Sequence, residues 1–321
     1  MYLTTLAPEA AVGHILRHNL ADEAGRRTLA KGRVLTAEDA TQLRRLGVLA
    51  VRVAVLEPGD LHEDAAAGRL AAIVAGLGTS ALPPAHSRVN LLAAAAGVVA
   101  VDLAALRRVN EVDGLTLATL PSGVPVAERQ RVATIKIIPF AIPAAALDAL
   151  EAIAASAIVV RPYVRRRVGL ILVGEERARA RVERSLLPAV LARVERYGAA
   201  LALTQFVAAD EQAIAAACAA CVAAEVELII TAGETSIMDR DDDIPRGLRA
   251  AGGTVIHHGA PVEPGNLLLL GYLGDVPLLG APGCVRSRDR NVIDLVLPRL
   301  LAGERLGRAD IIALGHGGLL P

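Results

Sequence analysis

Largely apolar runs, the first of them continuous from Val168 to Val173, alternate with amphipathic stretches in the C-terminal half of this chain. Such runs are typical of parallel strands that are buried on both faces, and the stretches between them have the periodicity and end signals of helices. This repeated strand–helix order predicts a three-layer α/β/α domain with a mainly parallel sheet over residues 163–303. The predicted strands read, in chain order, RVGLILVG, LALTQFV, VELIITAG, TVIHHG, LLLLGYLG and VPLLGAPG.

The N-terminal half has a different pattern, which predicts a smaller α+β region. Thr36 and Asp39 have the spacing of a helix N-cap and its capping box, and Gly47 is a C-terminal stop signal. Alternating valines at 51, 53 and 55 then favour a half-buried strand. Further along, we predict a helix over 62–75, a loop over 77–87, strands over 115–120, 132–138 and 157–160, and an Ala-rich helix after Pro143. The predicted divisions are a segment over 1–57, an α+β domain over 58–160, the domain over 163–303 and a tail over 304–321.

The amino-acid composition argues against several classes of protein. Lys plus Arg and Asp plus Glu number 34 each, so no bulk charge attracts nucleic acid or an anionic membrane. Aromatic residues are only 2% of the chain, which leaves little surface for stacking bases. No apolar run reaches the roughly 18 residues of a membrane-spanning helix, and three cysteines do not form a disulfide framework. We therefore expect a cytoplasmic protein with no nucleic-acid or membrane partner.

Three loops could carry chemistry, because ligands of open α/β sheets bind at the carboxyl ends of the strands. The first loop, 231–236, contains Gly233, which permits close backbone approach to an anion. It runs into four aspartates whose carboxylates are suited to a hard cation such as Mg²⁺. The alternative is a solvated turn in which Asp243 caps the next helix. The aspartates are Asp239, Asp241, Asp242 and Asp243.

The second and third loops, 261–266 and 280–287, each contain a Pro-Gly turn. A single Pro-Gly pair is usually only a turn, but two of them after consecutive predicted strands favour a shared site. The third loop also supplies a thiol, a hydroxyl and the guanidinium of Arg286, which has the geometry to bind phosphate. Cys218 and Cys221, by contrast, have no second pair and lie in an Ala-rich helix, so packed side chains are favoured over a metal or redox site.

In order and content, these loops resemble the molybdopterin-binding domain that molybdopterin molybdenumtransferase and molybdopterin adenylyltransferase share. The 233–236 loop aligns with the family's glycine-glycine-x-serine motif, and Asp241 with an acidic residue that follows it. Asp210 aligns with the aspartate after the second strand. Pro264-Gly265 and Pro282-Gly283 align with the family's two proline-glycine loops. The resemblance covers about residues 163–303, which is under half of the chain.

Several positions depart from the family pattern, and these departures indicate a divergent branch. Glu234 stands in place of a glycine, Glu263 in place of a lysine, Asn266 in place of a lysine and Cys284 in place of an asparagine. Met238 also stands where a glycine is usual. The resemblance therefore implies binding of the pterin more directly than it implies metal insertion.

The resemblance implies molybdopterin, or its nucleotide form, as the ligand, and a role in molybdenum cofactor biosynthesis that extends to molybdate insertion. It implies that Asp241 and Asp210 hold Mg²⁺ and are catalytic. Molybdoenzyme maturation proteins are implied partners, and a homodimer is the expected assembly. A non-catalytic carrier or sensor of the cofactor, and a structural module whose loops are only turns, remain alternatives. The implied cofactor-binding residues are Gly233, Glu234, Thr235, Ser236, Pro264, Gly265, Asn266, Pro282, Gly283, Cys284, Arg286 and Ser287.

Overall fold

The computed structural model describes residues 1–21 and 24–321. The described chain divides into two compact units, and two short segments before residue 160 belong to the second unit. The first unit comprises Met1–Ala94, Ala100–Pro121 and Glu128–Val160. The second comprises Ala95–Val99, Ser122–Ala127 and Arg161–Pro321.

Fourteen strands and four helices precede residue 167 in the described part of the chain. The strands are β1 (Tyr2–Leu6), β2 (Ile15–Leu16), β3 (Leu20–Ala21), β4 (Arg27–Leu29), β5 (Val51–Val55), β6 (Asp60–His62), β7 (Thr79–Ala81), β8 (Arg88–Ala93), β9 (Gly97–Val101), β10 (Leu115–Thr119), β11 (Pro125–Val126), β12 (Arg131–Ile137), β13 (Ala141–Pro143) and β14 (Ile158–Pro162). The helices are α1 (Ala37–Arg45), α2 (Glu63–Val74), α3 (Leu103–Asn110) and α4 (Ala144–Ala154).

Six strands and five helices follow. The strands are β15 (Arg167–Val173), β16 (Ala200–Val207), β17 (Leu228–Gly233), β18 (Thr254–His258), β19 (Leu269–Leu273) and β20 (Val276–Gly280). The helices are α5 (Arg179–Arg196), α6 (Glu211–Ala223), α7 (Asp243–Ala250), α8 (Ile293–Leu301) and α9 (Arg308–Ala313).

The first unit is built from small antiparallel sheets and helices. In one sheet β5 lies between β1 and β2, and in another the order is β10-β12-β8-β7. The capping box of α1 is confirmed: the Thr36 hydroxyl accepts from the Asp39 amide at 3.2 Å, and the Asp39 carboxylate accepts from the Thr36 amide at 3.0 Å. The prediction of an unbroken loop over 77–87 is wrong, because β7 pairs with β8 there. That edge strand is only three residues long and largely exposed, so it carries no apolar pattern.

The second unit contains a six-stranded sheet in the order β16-β15-β17-β20-β19-β18. β16, β15, β17 and β20 pair in parallel, whereas β19 pairs antiparallel with both β20 and β18. Successive residues of β15 face opposite sides of the sheet. Leu170 and Leu172 pack in a core with α5 and α8, and Ile171 and Val173 pack in a second core with α6 and α7. The predicted three-layer α/β/α domain with a mainly parallel sheet is thereby confirmed.

The C-terminal segment 304–321, predicted as a tail, contains α9 and then returns to the 261–266 loop. The Glu263 amide donates to the Gly318 carbonyl, and the Leu320 amide donates to the Glu263 carbonyl, each at 2.8 Å. Across the described residues, every helix is too short or too polar to span a membrane.

Candidate functional site

A cavity of about 360 Å³ opens where β15 and β17 end. These strands are parallel neighbours, so their following loops leave the same edge of the sheet. The first of the three predicted loops therefore forms much of the cavity wall. The lining residues are Val173, Gly174, Glu175, Ala209, Gly233, Glu234, Thr235, Ser236, Ile237, Met238, Asp242, Asp243 and Ile244.

The first and third loops meet beside this cavity. The Gly283 amide donates a hydrogen bond to the Ser236 hydroxyl oxygen at 3.2 Å. A Cβ atom at position 283 would lie 2.9 Å from the same oxygen, closer than real Cβ contacts allow. A side chain at 283 would therefore displace the Ser236 hydroxyl from this contact between the two loops. This approach is possible because β17 and β20 are also parallel neighbours.

Arg286 ties the third loop to the first. Its guanidinium donates to the carbonyl oxygens of Gly233 at 3.0 Å and Glu234 at 2.8 Å. The Glu234 carboxylate in turn pairs with Arg181, which is on α5. Arg286 is exposed, so its remaining donors stay within reach of a ligand at the rim.

The charge of the cavity wall is negative. The lining residues include the acids Glu175, Glu234, Asp242 and Asp243, and none of them is a lysine or an arginine. The Asp242 carboxylate is engaged by backbone amides, because it accepts from Met238 at 2.6 Å and from Asp239 at 3.1 Å. Among the residues that the structure describes, the cationic groups that contact the first loop are those of Arg181 and Arg286. A wall of this charge suits a ligand that carries many hydrogen-bond donors.

The two acids predicted to hold Mg²⁺ are engaged in other roles. Asp210 is the N-cap of α6, and its carboxylate accepts from the amides of Gln212 and Ala213, each at 2.9 Å. Asp241 is exposed and pairs with Arg249 at 2.7 Å. Neither residue lines the cavity, and nowhere among residues 1–21 and 24–321 do three metal-ligating side chains come together. This donor set does not fit a Mg²⁺ ion held by Asp210 and Asp241.

The second predicted loop lies against the C-terminal segment. Glu263 and Asn266 line a different cavity of about 370 Å³ together with Gly315, Gly318 and Leu319. Gly265 has φ of +130°, and a Cβ there would lie 2.4 Å from the side chain of Val292. Pro264, which follows a cis peptide bond, accepts at its carbonyl from the Val292 amide at 3.2 Å. These residues are therefore placed in contact with the start of α8 and the chain end, and they are not among those lining the 360 Å³ cavity.

Three further predicted residues belong to the third loop. Pro282 is buried, and Ser287 donates from its hydroxyl to the Asp289 carboxylate at 2.7 Å. Cys284 is half-buried, and burial raises the pKa of its thiol. None of the three lines the 360 Å³ cavity. Gly174 and Glu175 also line the 360 Å³ cavity, although they were not among the predicted site residues. They directly follow the apolar run of β15, and this position could have identified them from the sequence.

Two family models match parts of the chain. Residues 169–302 match the family described as "probable molybdopterin binding domain", which confirms the resemblance of the C-terminal domain and supports molybdopterin as its ligand. Residues 5–55 match a family described as a domain of unknown function. No curated protein matches the sequence.

Solved structures of molybdenum cofactor biosynthesis proteins are distant neighbours. A molybdenum cofactor biosynthesis protein from Pyrococcus furiosus is 13% identical with a TM-score of 0.27, and the match covers 97% of this chain and 65% of that one. The molybdopterin biosynthesis enzyme MoaB from Thermus thermophilus is 18% identical with a TM-score of 0.34 over 43% of this chain and 98% of that one. The molybdopterin biosynthesis Mog protein from Mycobacterium ulcerans is 20% identical with a TM-score of 0.29 over 42% and 94%.

Proposed function

We propose that this protein binds molybdopterin in the 360 Å³ cavity and acts in molybdenum cofactor biosynthesis. The hydrogen bond between Gly283 and Ser236 carries the proposal, since it joins the loops of two parallel strands beside one cavity. The family match over residues 169–302 supports the same ligand class. A volume of about 360 Å³ lies within the range of small-molecule sites.

The pterin ring and the phosphate of molybdopterin need different partners in the 360 Å³ cavity. A pterin ring presents amino and ring N–H donors, which a carboxylate can accept; at Glu234 the available acceptor is Oε2, since Oε1 pairs with Arg181. Its phosphate needs cationic or amide donors, and the exposed guanidinium of Arg286, beside the 233–236 loop, supplies a cationic one. The ligand is therefore oriented with its ring toward the acids and its phosphate toward Arg286.

Two forms of this function differ in turnover: insertion of molybdate into the bound pterin, and transport or sensing of the cofactor without chemistry. The engagement of Asp210 as a helix cap and of Asp241 by Arg249 favours the second form. In that form the side chains of this chain bind and orient the pterin, and no carboxylate pair is needed to hold Mg²⁺.

The two forms are separated by one experiment on the purified full chain. Molybdopterin, with and without an adenylyl group, is titrated into the protein, and release of metallated cofactor is then followed after molybdate and Mg²⁺ are added. Tight binding without metallated product supports the carrier form, whereas turnover supports insertion. Absence of pterin binding contradicts both.

The expected homodimer and the expected contact with molybdoenzyme maturation proteins belong to the same proposal. A carrier must pass its cargo to a recipient, and a paired domain would present two loaded sites. Light scattering of the purified chain measures its oligomeric state. A strictly monomeric mass at high concentration contradicts the expected homodimer.

A further inference from the structure

A second and larger cavity, of about 570 Å³, lies in the second unit away from the 233–236 loop. It shares no lining residue with the first cavity. Its lining combines apolar and aromatic residues with three arginines. The lining residues are Ala96, Val124, Pro125, Val126, Ala127, Tyr163, Arg196, Tyr197, Arg288, Arg290 and Asp294.

Two of the three arginines have unused donors. Arg288 and Arg290 are exposed, and neither has an ion pair or a hydrogen bond with any residue that the structure describes. The one acid of the cavity, Asp294, is already engaged, since its carboxylate lies 3.3 Å from Arg193, 3.4 Å from Arg196 and 3.0 Å from the Asn291 amide. The rim therefore carries a net positive charge without a partner of its own. An oxyanion with two charges, such as a phosphate monoester, complements it.

The backbone that carries these arginines is fixed by Arg193, a buried side chain of α5. Its guanidinium donates to the carbonyl oxygens of Val285 at 3.1 Å, Ser287 at 2.9 Å and Asp289 at 2.9 Å. Because the segment is held on both sides of Arg288, its backbone needs little further ordering when an anion binds.

Two packed tyrosines form the aromatic part of the lining. Tyr163 and Tyr197 pack with ring centroids 5.2 Å apart at 47°, and the Tyr163 hydroxyl donates to the Gly97 carbonyl at 3.1 Å. Gly97 and Val98 of β9 pair with β11, which brings the Val124–Ala127 backbone to the cavity. Planar rings pack against tyrosine faces and against arginine guanidinium planes.

We propose that this cavity is a second ligand site, which takes a small molecule with a planar ring and a phosphate monoester. The phosphate binds Arg288 and Arg290, and the ring lies against Tyr163, Tyr197 and the apolar wall. This site is independent of the proposed pterin site, since the two cavities have no residue in common. A phosphorylated peptide or a nucleic acid strand would share the phosphate contact, but a volume of about 570 Å³ is of the size of a small-molecule site.

The test is calorimetric or fluorescence titration of the full chain with AMP and FMN, each beside its dephosphorylated counterpart, adenosine or riboflavin, and with inorganic phosphate. At least one phosphorylated probe should bind more tightly than both its counterpart and inorganic phosphate. Arg288→Gln and Arg290→Gln should each weaken that binding about tenfold, because each removes a charge-assisted contact. Arg184→Gln, at an exposed arginine of α5 outside both cavities, should leave it unchanged.

Three results would overturn the proposal. The first is no binding of either AMP or FMN at millimolar concentration. The second is binding that survives both arginine substitutions, or inorganic phosphate binding as tightly as the best probe. The third is loss of probe binding in Ser236→Ala, which would assign the probe to the first cavity. Failure of this test leaves the proposed pterin site in place, because that site is tested separately by substitutions at Ser236 and Gly283 beside the first cavity.

Discussion

Ser236 and Gly283 are 47 positions apart in the sequence, yet the Gly283 amide donates to the Ser236 hydroxyl at 3.2 Å. The contact exists because each residue follows a strand of the parallel sheet, β17 or β20, and those strands are neighbours. It fixes the relative position of two loops that the proposed pterin must contact at the same time.

Removal of the Ser236 hydroxyl should weaken pterin binding. Ser236→Ala deletes the acceptor of the Gly283 amide and loosens the junction, at a cost of about 1 kcal/mol, or about fivefold in affinity. Equilibrium titration with molybdopterin measures this. Ser185→Ala is the matched control, since that hydroxyl donates only to the Val182 carbonyl of its own helix. Equal affinity of the Ser236 variant and the unsubstituted protein would contradict a binding role for the junction.

Gly265→Val should lower the stability of the fold. Its main effect should not be to block the approach of a ligand. The substitution combines a φ of +130° with a Cβ only 2.4 Å from Val292, so we expect a loss of about 2–4 kcal/mol in the free energy of unfolding. Urea unfolding followed by circular dichroism provides the value. Gly252→Ala, with φ of +85° and no atom within 4 Å of the added Cβ, should cost only about 1 kcal/mol. An unchanged unfolding midpoint for Gly265→Val would show that this loop is not packed as described.

Asp241→Asn tests the metal role that the family resemblance implies. Asp241 is exposed and its carboxylate meets Arg249, so the substitution should leave the fold and pterin affinity unchanged, with and without Mg²⁺. Pterin titrations in Mg²⁺ and in EDTA measure this. A Mg²⁺-dependent affinity that disappears in the variant would restore Asp241 as a metal ligand.

The buried thiols of α6 should make the protein less stable at alkaline pH. Burial raises the pKa of Cys218 to about 12 and that of Cys221 to about 11, above the usual value of a thiol. Between the ordinary thiol pKa and these values, the unfolded chain loses protons that the folded chain keeps. The free energy of unfolding therefore falls as the pH rises through this window, and below it the contribution is fully present.

Urea unfolding at pH 8 and at pH 10.5 measures the effect. The double variant Cys218→Ala, Cys221→Ala should lose less stability between the two pH values than the unsubstituted chain. Equal losses in the two proteins would mean that other groups cause the alkaline sensitivity.

The elements of the C-terminal domain could be predicted from the sequence because its central strands are buried on both faces. The run over β15 has no polar interruption from Val168 to Val173, and Asp210 has the N-cap position at which the structure finds it. β7 could not be predicted in the same way, since an exposed three-residue edge strand has no burial pattern.

The site was only partly predictable. Gly233 and Ser236 lie at the cavity because the end of a strand fixes where its loop begins. Gly265 and Asn266 follow no such rule, since the 261–266 loop precedes β19, an antiparallel strand, and packs against the chain end. Asp241 lies several residues beyond its strand, where a nearby arginine decides the position of the side chain. Side-chain pairing of this kind depends on three-dimensional neighbours that spacing along the chain does not reveal.

The most direct test of the proposed function is the pterin content of the purified full-length chain and of Gly283→Val, after both are saturated with molybdopterin and freed of unbound ligand. Bound pterin is oxidised and quantified by its fluorescence. We predict stoichiometric pterin on the unsubstituted protein and on the Gly252→Ala control, and a loss of at least about tenfold in affinity for Gly283→Val, whose side chain would collide with Ser236. Pterin binding of equal strength in Gly283→Val, with the fold intact, would contradict the assignment of this cavity as the molybdopterin site.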